Sequence, residues 1–445
     1  MAGTQLQPLA PHLDEIPQSI SSPSWGLAQR ILFRFVCAYL TLYNLALAGY
    51  LIPGMRILAD AYTRLWHPIA PWVAIHIFHL SGPVTVYPPV NGSGDTTLDY
   101  IQDLCFVVLA AVVTLVWSIL DRRRSEYVKL HQCLRICMRY ALALTLFSYG
   151  FAKVIPTQFI FPGLSRLIEP LGEFSPMGLL WTFMGYSTPY IVFSGLAEVI
   201  SGTLLLFRRT ATLGAMASAA VLLNIVMLNF CYDVPVKLYS TNLLFMGIFL
   251  MVPDLRRLIN MLVLNRPTQA VKLDWPSFNR RWMRLAMVAV KVVLVGYFVF
   301  STVQGSLNGY KKFIVGPKPP LYGLYEVEGF TRNGVELPPL TTDTTRWKRV
   351  IVQSSTAISI RMMDDSARSY STNYDAAKNS ITLIAAADKN KKNAFEYSWP
   401  DPNHLVLTGV LMNDNLAVKL RKSDPSKFLL VNRGFHWINE RPFNR

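Results

Sequence analysis

For its first two-thirds the chain alternates long apolar runs with short basic ones, and after about Ser306 it changes to short alternating segments. A helix of about 20 apolar residues can cross the hydrocarbon core of a bilayer. Runs of that kind fall at 29–52, 100–120, 136–155, 188–207, 211–231, 236–253 and 283–304, the sixth being the shortest. The second contains Leu104 to Leu120 without a charge. Backbone groups in lipid must find their partners within the segment, so about seven transmembrane helices are expected.

The segments between these runs also carry pattern. Residues 55–66 place Ile57, Leu58, Ala61 and Leu65 on one helical face, with Arg56, Asp60 and Arg64 on the other. Pro68 and Pro71 are expected to end that helix, and Trp72 to Leu80 to form a second apolar piece. Trp66 and Trp72 suit a membrane interface. In 161–186, Ser175-Pro176 reads as an N-cap with proline in the first turn of a short helix reaching Tyr186. External amphipathic helices at 55–80 and 161–186 would then lie as a lid over the bundle.

From Leu321 onward, eight short runs suggest strands: 324–331, 347–353, 357–363, 380–385, 395–399, 405–410, 417–421 and 428–431. Turn residues such as Asn333-Gly334, Asp364-Asp365 and Asn413-Asp414 separate them. The expectation is an all-β barrel or sandwich over 321–445, able to hold a small ligand or filled by its own side chains. The aromatic, basic stretch Arg433-Gly-Phe-His-Trp-Ile438 is expected to help close it.

Charge settles orientation rather than fold. A net charge of +16 in a soluble protein would suggest nucleic acid, but no finger, RRM or KH pattern occurs. Instead Arg122, Arg123, Arg124, Lys129 and Arg135, then Arg208 and Arg209, then Arg256, Arg257, Arg266, Lys272, Arg280 and Arg281 occupy alternate loops. By the positive-inside rule the N-terminal tail (1–28) is cytoplasmic and the C-terminal domain extracytoplasmic, in a multi-pass protein of the cell (inner) membrane. The first 25 residues are polar and proline-containing, so the first apolar helix should be an uncleaved anchor within a bundle of 29–305. The mean hydropathy, +0.29, averages the two unlike parts. The five cysteines all precede the C-terminal domain and include no C-x-x-C, so disulfide stapling of that domain is not expected.

Ionisable residues inside apolar runs are costly and so draw functional hypotheses. Glu198 lies mid-run, and Lys153 lies in the outer half of the third run with Tyr149 one turn behind it. If those helices pack, Lys153 can reach Glu198, either as a buried pair fixing register or as the polar wall of a pocket. Asn224 is a further polar group there. Asp233 reads as a cap, Pro235 as a first-turn residue and Lys237 as its neighbour one turn on; with Asp95 and Asn242 these form a candidate outer-face site. The loop Asn91-Gly-Ser-Gly-Asp-Thr-Thr97 could nest an anion, but it lacks a Gly-Lys-Ser/Thr ending, and Thr96 with Asp99 forms a capping box. No histidine lies within a predicted span, which argues against bis-histidine haem; His76 and His79, with His67 nearby, make a weak metal signal, and no metal is expected.

The run Arg139 to Lys153, ending Ser-Tyr149-Gly150-Phe-Ala-Lys153, followed by Ser194-Gly-Leu-Ala-Glu198 and Gly202, resembles DoxX-like integral membrane proteins over about 136–255. The resemblance implies a four-helix unit, and some members are associated with quinone-linked oxidoreductase systems. The extra helices and the C-terminal domain depart from the minimal unit. The expected function is therefore a membrane binding or scaffolding component, lying in the lipid bilayer and meeting a redox partner protein, with quinone as the implied ligand. The alternatives are a quinone-linked oxidoreductase subunit with a pocket in the bundle, or small-molecule or lipid binding or transport through the outer β domain. No cofactor motif is present to decide between them.

Overall fold

The computed structural model describes residues 25–51, 54–82, 84, 92–268, 280–385 and 388–444. Most of the N-terminal tail, Asn91 and Lys272 lie outside the described residues. The described part has a helical N-terminal region with several apolar helices and a C-terminal antiparallel β-barrel. It divides into two compact units, one drawn from residues 1–89 and 96–138, the other from 90–95 and 139–445.

The first unit holds α1 (Leu27–Leu51), α2 (Arg56–His76), α3 (Thr97–Leu120) and the opening of α4 (Val128–Val154). Thr96 and Asp99 form the expected capping box of α3, the Asp99 N–H donating to Thr96 Oγ1 over 3.2 Å and the Thr96 N–H to Asp99 Oδ2 over 2.9 Å. The buried Arg34 donates to the Tyr127 and Ser118 hydroxyls and to the Asp121 carbonyl, which ties α1 to the start of α4. The prolines do not end α2, which runs unbroken through Pro68 and Pro71. Each proline removes one helical hydrogen bond. Ala70 and Ala74, fully buried against Ile101, hold the segment helical by packing. Trp66 is not an interfacial anchor but is buried edge-to-face on Phe106, at 4.8 Å between ring centroids.

The second unit contains the rest of α4, then α5 (Leu164–Leu167), α6 (Pro176–Tyr186), α7 (Thr188–Leu206), α8 (Ala211–Cys231), α9 (Lys237–Met251), α10 (Leu255–Leu262) and α11 (Arg281–Phe313). Ser175 caps α6 as expected, accepting from the Gly178 N–H at 3.0 Å. Six described helical stretches are long and apolar enough to cross a membrane: 27–47, 97–120, 188–206, 211–231, 237–262 and 281–313; α4 is not among them. The carbonyls at the end of α7 attract cations, as helix C-termini do. Arg139 donates to Leu205 O (2.9 Å) and Lys291 to Leu206 O (2.6 Å), which pins α11 to α7.

The barrel consists of β1 (Gly323–Arg332), β2 (Val335–Glu336), β3 (Trp347–Val352), β4 (Ala357–Met362), β5 (Ala367–Asp375), β6 (Ser380–Ala385), β7 (Asp388–Asp401), β8 (His404–Leu411) and β9 (Asp414–Ser423). Eight strands follow one another as antiparallel neighbours and β9 pairs with β1, while the short β2 is only a hairpin arm on β1. Side chains alternate across a strand. Ile358, Ile360 and Met362 therefore point inward with Leu405, Leu407, Val418 and Leu420, around Trp347, Tyr325, Phe330 and Phe395. The Tyr325 phenol donates to Leu321 O at 2.9 Å, and burial pushes its pKa up. Leu324 and Ile351, opposite each other in register, face outward and are covered by Leu164 with Ile168 and Phe428.

Two strand expectations are corrected. β5 was not anticipated because its inward residues, Tyr370, Thr372 and Tyr374, sit among polar neighbours that mask the alternation. Residues 428–431 form no strand. After β9 closes on β1 no edge remains, and the chain turns through 425–427 into the one-turn α12 (Leu429–Asn432). The aromatic C-terminal stretch does not close the barrel either, since Phe435, Trp437 and Ile438 are 78%, 91% and 76% exposed.

Because Trp347 is 2% exposed at the centre of this interior, Trp347→Ala is expected to cost the barrel about 3–5 kcal/mol. Guanidinium unfolding of the excised 319–444 segment measures this; a loss below about 1 kcal/mol would mean the interior is not close-packed.

Candidate functional site

Helical spacing places Thr145, Tyr149 and Lys153 on one face of α4, and Ser194 and Glu198 on one face of α7. What allows these faces to meet is missing side-chain volume. A Cβ built on Gly195 would stand 2.7 Å from the Gly150 carbonyl oxygen and 2.8 Å from the Lys153 Cβ. One on Gly202 would stand 3.0 Å from the Ala143 carbonyl oxygen. Small residues at such positions let helix backbones approach closely in membranes.

At this crossing Lys153 Nζ donates to Glu198 Oε1 over 2.7 Å, with the two side chains 7% and 1% exposed. The pair is only half satisfied. Among the described residues, Glu198 Oε2 is buried and has no hydrogen-bond partner, and neither has the buried Gln158 Oε1. Buried carboxylate oxygens are normally paired, so an orphan of this kind calls for an explanation.

The explanation offered by the geometry is a cavity of about 120 Å³ whose walls include Lys153, Glu198 and Gln158. A water needs about 10–15 Å³ of such space, so several waters or one ring-sized group would fit. Tyr149 and Asn224 line the same cavity, which therefore gathers all four residues proposed for a bundle pocket. Tyr149 is 41% exposed and Asn224 is also exposed, so the cavity is open beside them. The Tyr149 ring lies 5.7 Å from Lys153 Nζ and 6.2 Å from the Tyr239 ring. The remaining walls are largely apolar: Phe159, Leu180, Trp181, Met184, Leu222 and Leu243.

Several wall residues were not anticipated from sequence. Asn229 donates to Ser240 Oγ at 3.0 Å, both buried, bridging α8 to α9 beside the cavity. Polar residues at those two places inside apolar runs were a readable signal. Trp181 was not readable, because a tryptophan on a short helix outside the long apolar runs looks like an interfacial anchor.

The outer-face group resolves differently. Asp233 does not cap α9: it has φ +51°, is exposed, and instead accepts from Lys237 Nζ at 2.8 Å. The cap comes from Asp95, whose carboxylate accepts from the Lys237 N–H (2.8 Å) and the Leu238 N–H (2.9 Å). A carboxylate is favoured at a helix N-terminus by both the free N–H groups and the dipole. Lys237 Nζ also lies 3.7 Å from Asp95 Oδ2, so Asp95, Asp233 and Lys237 form a clamp at the start of α9. Asn242, five residues beyond Lys237 on α9, donates to Leu238 O at 3.1 Å. The metal signal at the histidines also changes, since α2 ends at His76 and His79 lies beyond it with φ +51°. Among the described residues no three His, Cys, Asp or Glu side chains gather to hold a metal.

Comparison with known proteins adds one relative. The uncharacterized protein YwoB of Bacillus subtilis (strain 168) is 37% identical over 128 residues, which are 27% of this chain and 75% of YwoB. The chain belongs to the YwoB family. No family model and no solved structure matches.

Removing one member of a buried pair leaves an uncompensated charge and costs about 3–5 kcal/mol, whereas replacing both by apolar groups is far milder. Lys153→Met alone is therefore expected to lower the unfolding temperature of the purified protein well below that of Lys153→Met/Glu198→Leu. A double variant as unstable as the sum of the singles would show that the pair is not coupled.

Proposed function

We propose that this chain is a DoxX-like, multi-pass protein of the inner membrane whose bundle binds a small molecule with a polar head and an apolar body. It would do so as a binding or scaffolding component of a quinone-linked redox system, in contact with a redox partner protein. The observation that carries the reading is the buried, half-satisfied Lys153–Glu198 pair in the wall of an otherwise largely apolar cavity. A brace that only fixed helix register would be expected to bond both carboxylate oxygens within the protein. A lipid-soluble ligand could reach the cavity where Tyr149 and Asn224 are exposed.

The membrane topology belongs to the same proposal. Six stretches are apolar enough to span. α4 is taken as a seventh span: it carries half of the buried pair, and 27 residues are ample for a crossing. With the arginine-rich loops inside, the N-terminus is cytoplasmic and the barrel extracytoplasmic. Ligand binding by the barrel has less support, because Trp347, Tyr325, Phe330 and Phe395 occupy its interior.

Mass spectrometry of small molecules retained by gently extracted protein tests this directly. Wild type is expected to carry a quinone-class or similar apolar molecule near stoichiometry, and Lys153→Met/Glu198→Leu, which lacks both polar partners, to retain at least tenfold less of that molecule. A wild type that retains none would refute the reading.

A further inference from the structure

The atoms left unpaired at the pair specify more than a generic polar head. Glu198 Oε2 is buried without a partner, so the occupant must donate a hydrogen bond to it. Lys153 spends one N–H on Glu198 Oε1 and has three to give, so it can also donate to an acceptor on the occupant close by. A hydroxyl does both through one oxygen. A carbonyl can accept from Lys153 but leaves Glu198 Oε2 orphaned, and an ammonium can satisfy Glu198 but meets Lys153 with like charge.

The walls narrow the class further. Phe159, Trp181 and Tyr239 present aromatic surface around a cavity of about 120 Å³, which suits a flat ring rather than a bulky alcohol. We infer that the cavity selects a phenolic hydroxyl on an apolar body. For a quinone-type molecule it would hold the reduced hydroquinone form in preference to the oxidised quinone. The inference rests on the reading of the bundle as a ligand site and deepens it by naming the group that is recognised.

The test uses the full chain in lipid nanodiscs, with empty nanodiscs subtracted, and three probes titrated separately without oxygen: a decyl-substituted hydroquinone, its dimethyl ether and the matching quinone. Wild type is expected to bind the hydroquinone at least tenfold more tightly than either of the others. Glu198→Gln supplies a second, signed outcome. Its amide oxygen would face Lys153 and its NH₂ the cavity, turning an acceptor into a donor, so the order is expected to reverse in favour of the quinone. If the variant does not fold, the ranking of the three probes on wild type decides alone. Equal binding of all three, or tighter binding of the ether or the quinone by wild type, overturns the hydroxyl inference while the ligand site stands. No binding of any probe refutes both.

Discussion

The site depends on how closely two helices approach. A lysine and a carboxylate far from water are tolerable only in contact, where their attraction offsets the loss of hydration. That contact needs α4 and α7 to cross almost backbone to backbone, and Gly150, Gly195 and Gly202 provide the room. The same crossing turns one face of each helix toward α8 and α9, where Asn224, Asn229, Tyr239 and Ser240 contribute to the cavity. α6 adds Leu180, Trp181 and Met184 to its walls. Fill the glycines and the pair separates; without the pair, the cavity is a void between apolar helices.

How much of this could be read from sequence depended on whether the signal was local. An ionisable residue in an apolar run is conspicuous, so Lys153 and Glu198 stood out, and 3.6-residue periodicity put Tyr149 beside Lys153. The capping box at Thr96 and the proline-led start of α6 are short-range and were readable for the same reason. The cap on α9 was not. Asp95 reaches it from 142 positions away in sequence, and no local pattern distinguishes it from Asp233, which sits nearer and faces solvent. The prolines of α2 misled for a related cause: their local cost is real, but packing of Ala70 and Ala74 outweighs it.

The barrel shows the same division. Its hydrophobic strands were legible from alternation, whereas β5 hid behind polar residues and 428–431 looked like a strand with nowhere to pair. Its closure through β1 and β9 leaves the aromatic C-terminal stretch free of any barrel role. On its outer face Leu324 and Ile351 pack against Leu164, only five residues beyond the cavity-lining Phe159. The barrel thus holds one end of the segment whose other end forms the cavity wall.

The central claim is that Glu198 Oε2 is completed by something other than the protein. A high-resolution density map of the protein extracted with its native lipids addresses it most directly. Non-protein density is expected in the cavity within hydrogen-bonding distance of Glu198 Oε2, with an apolar body against Trp181 and Leu180. A collapsed cavity, with Glu198 Oε2 bonded to a donor of the protein itself, would contradict it and leave the pair as a brace.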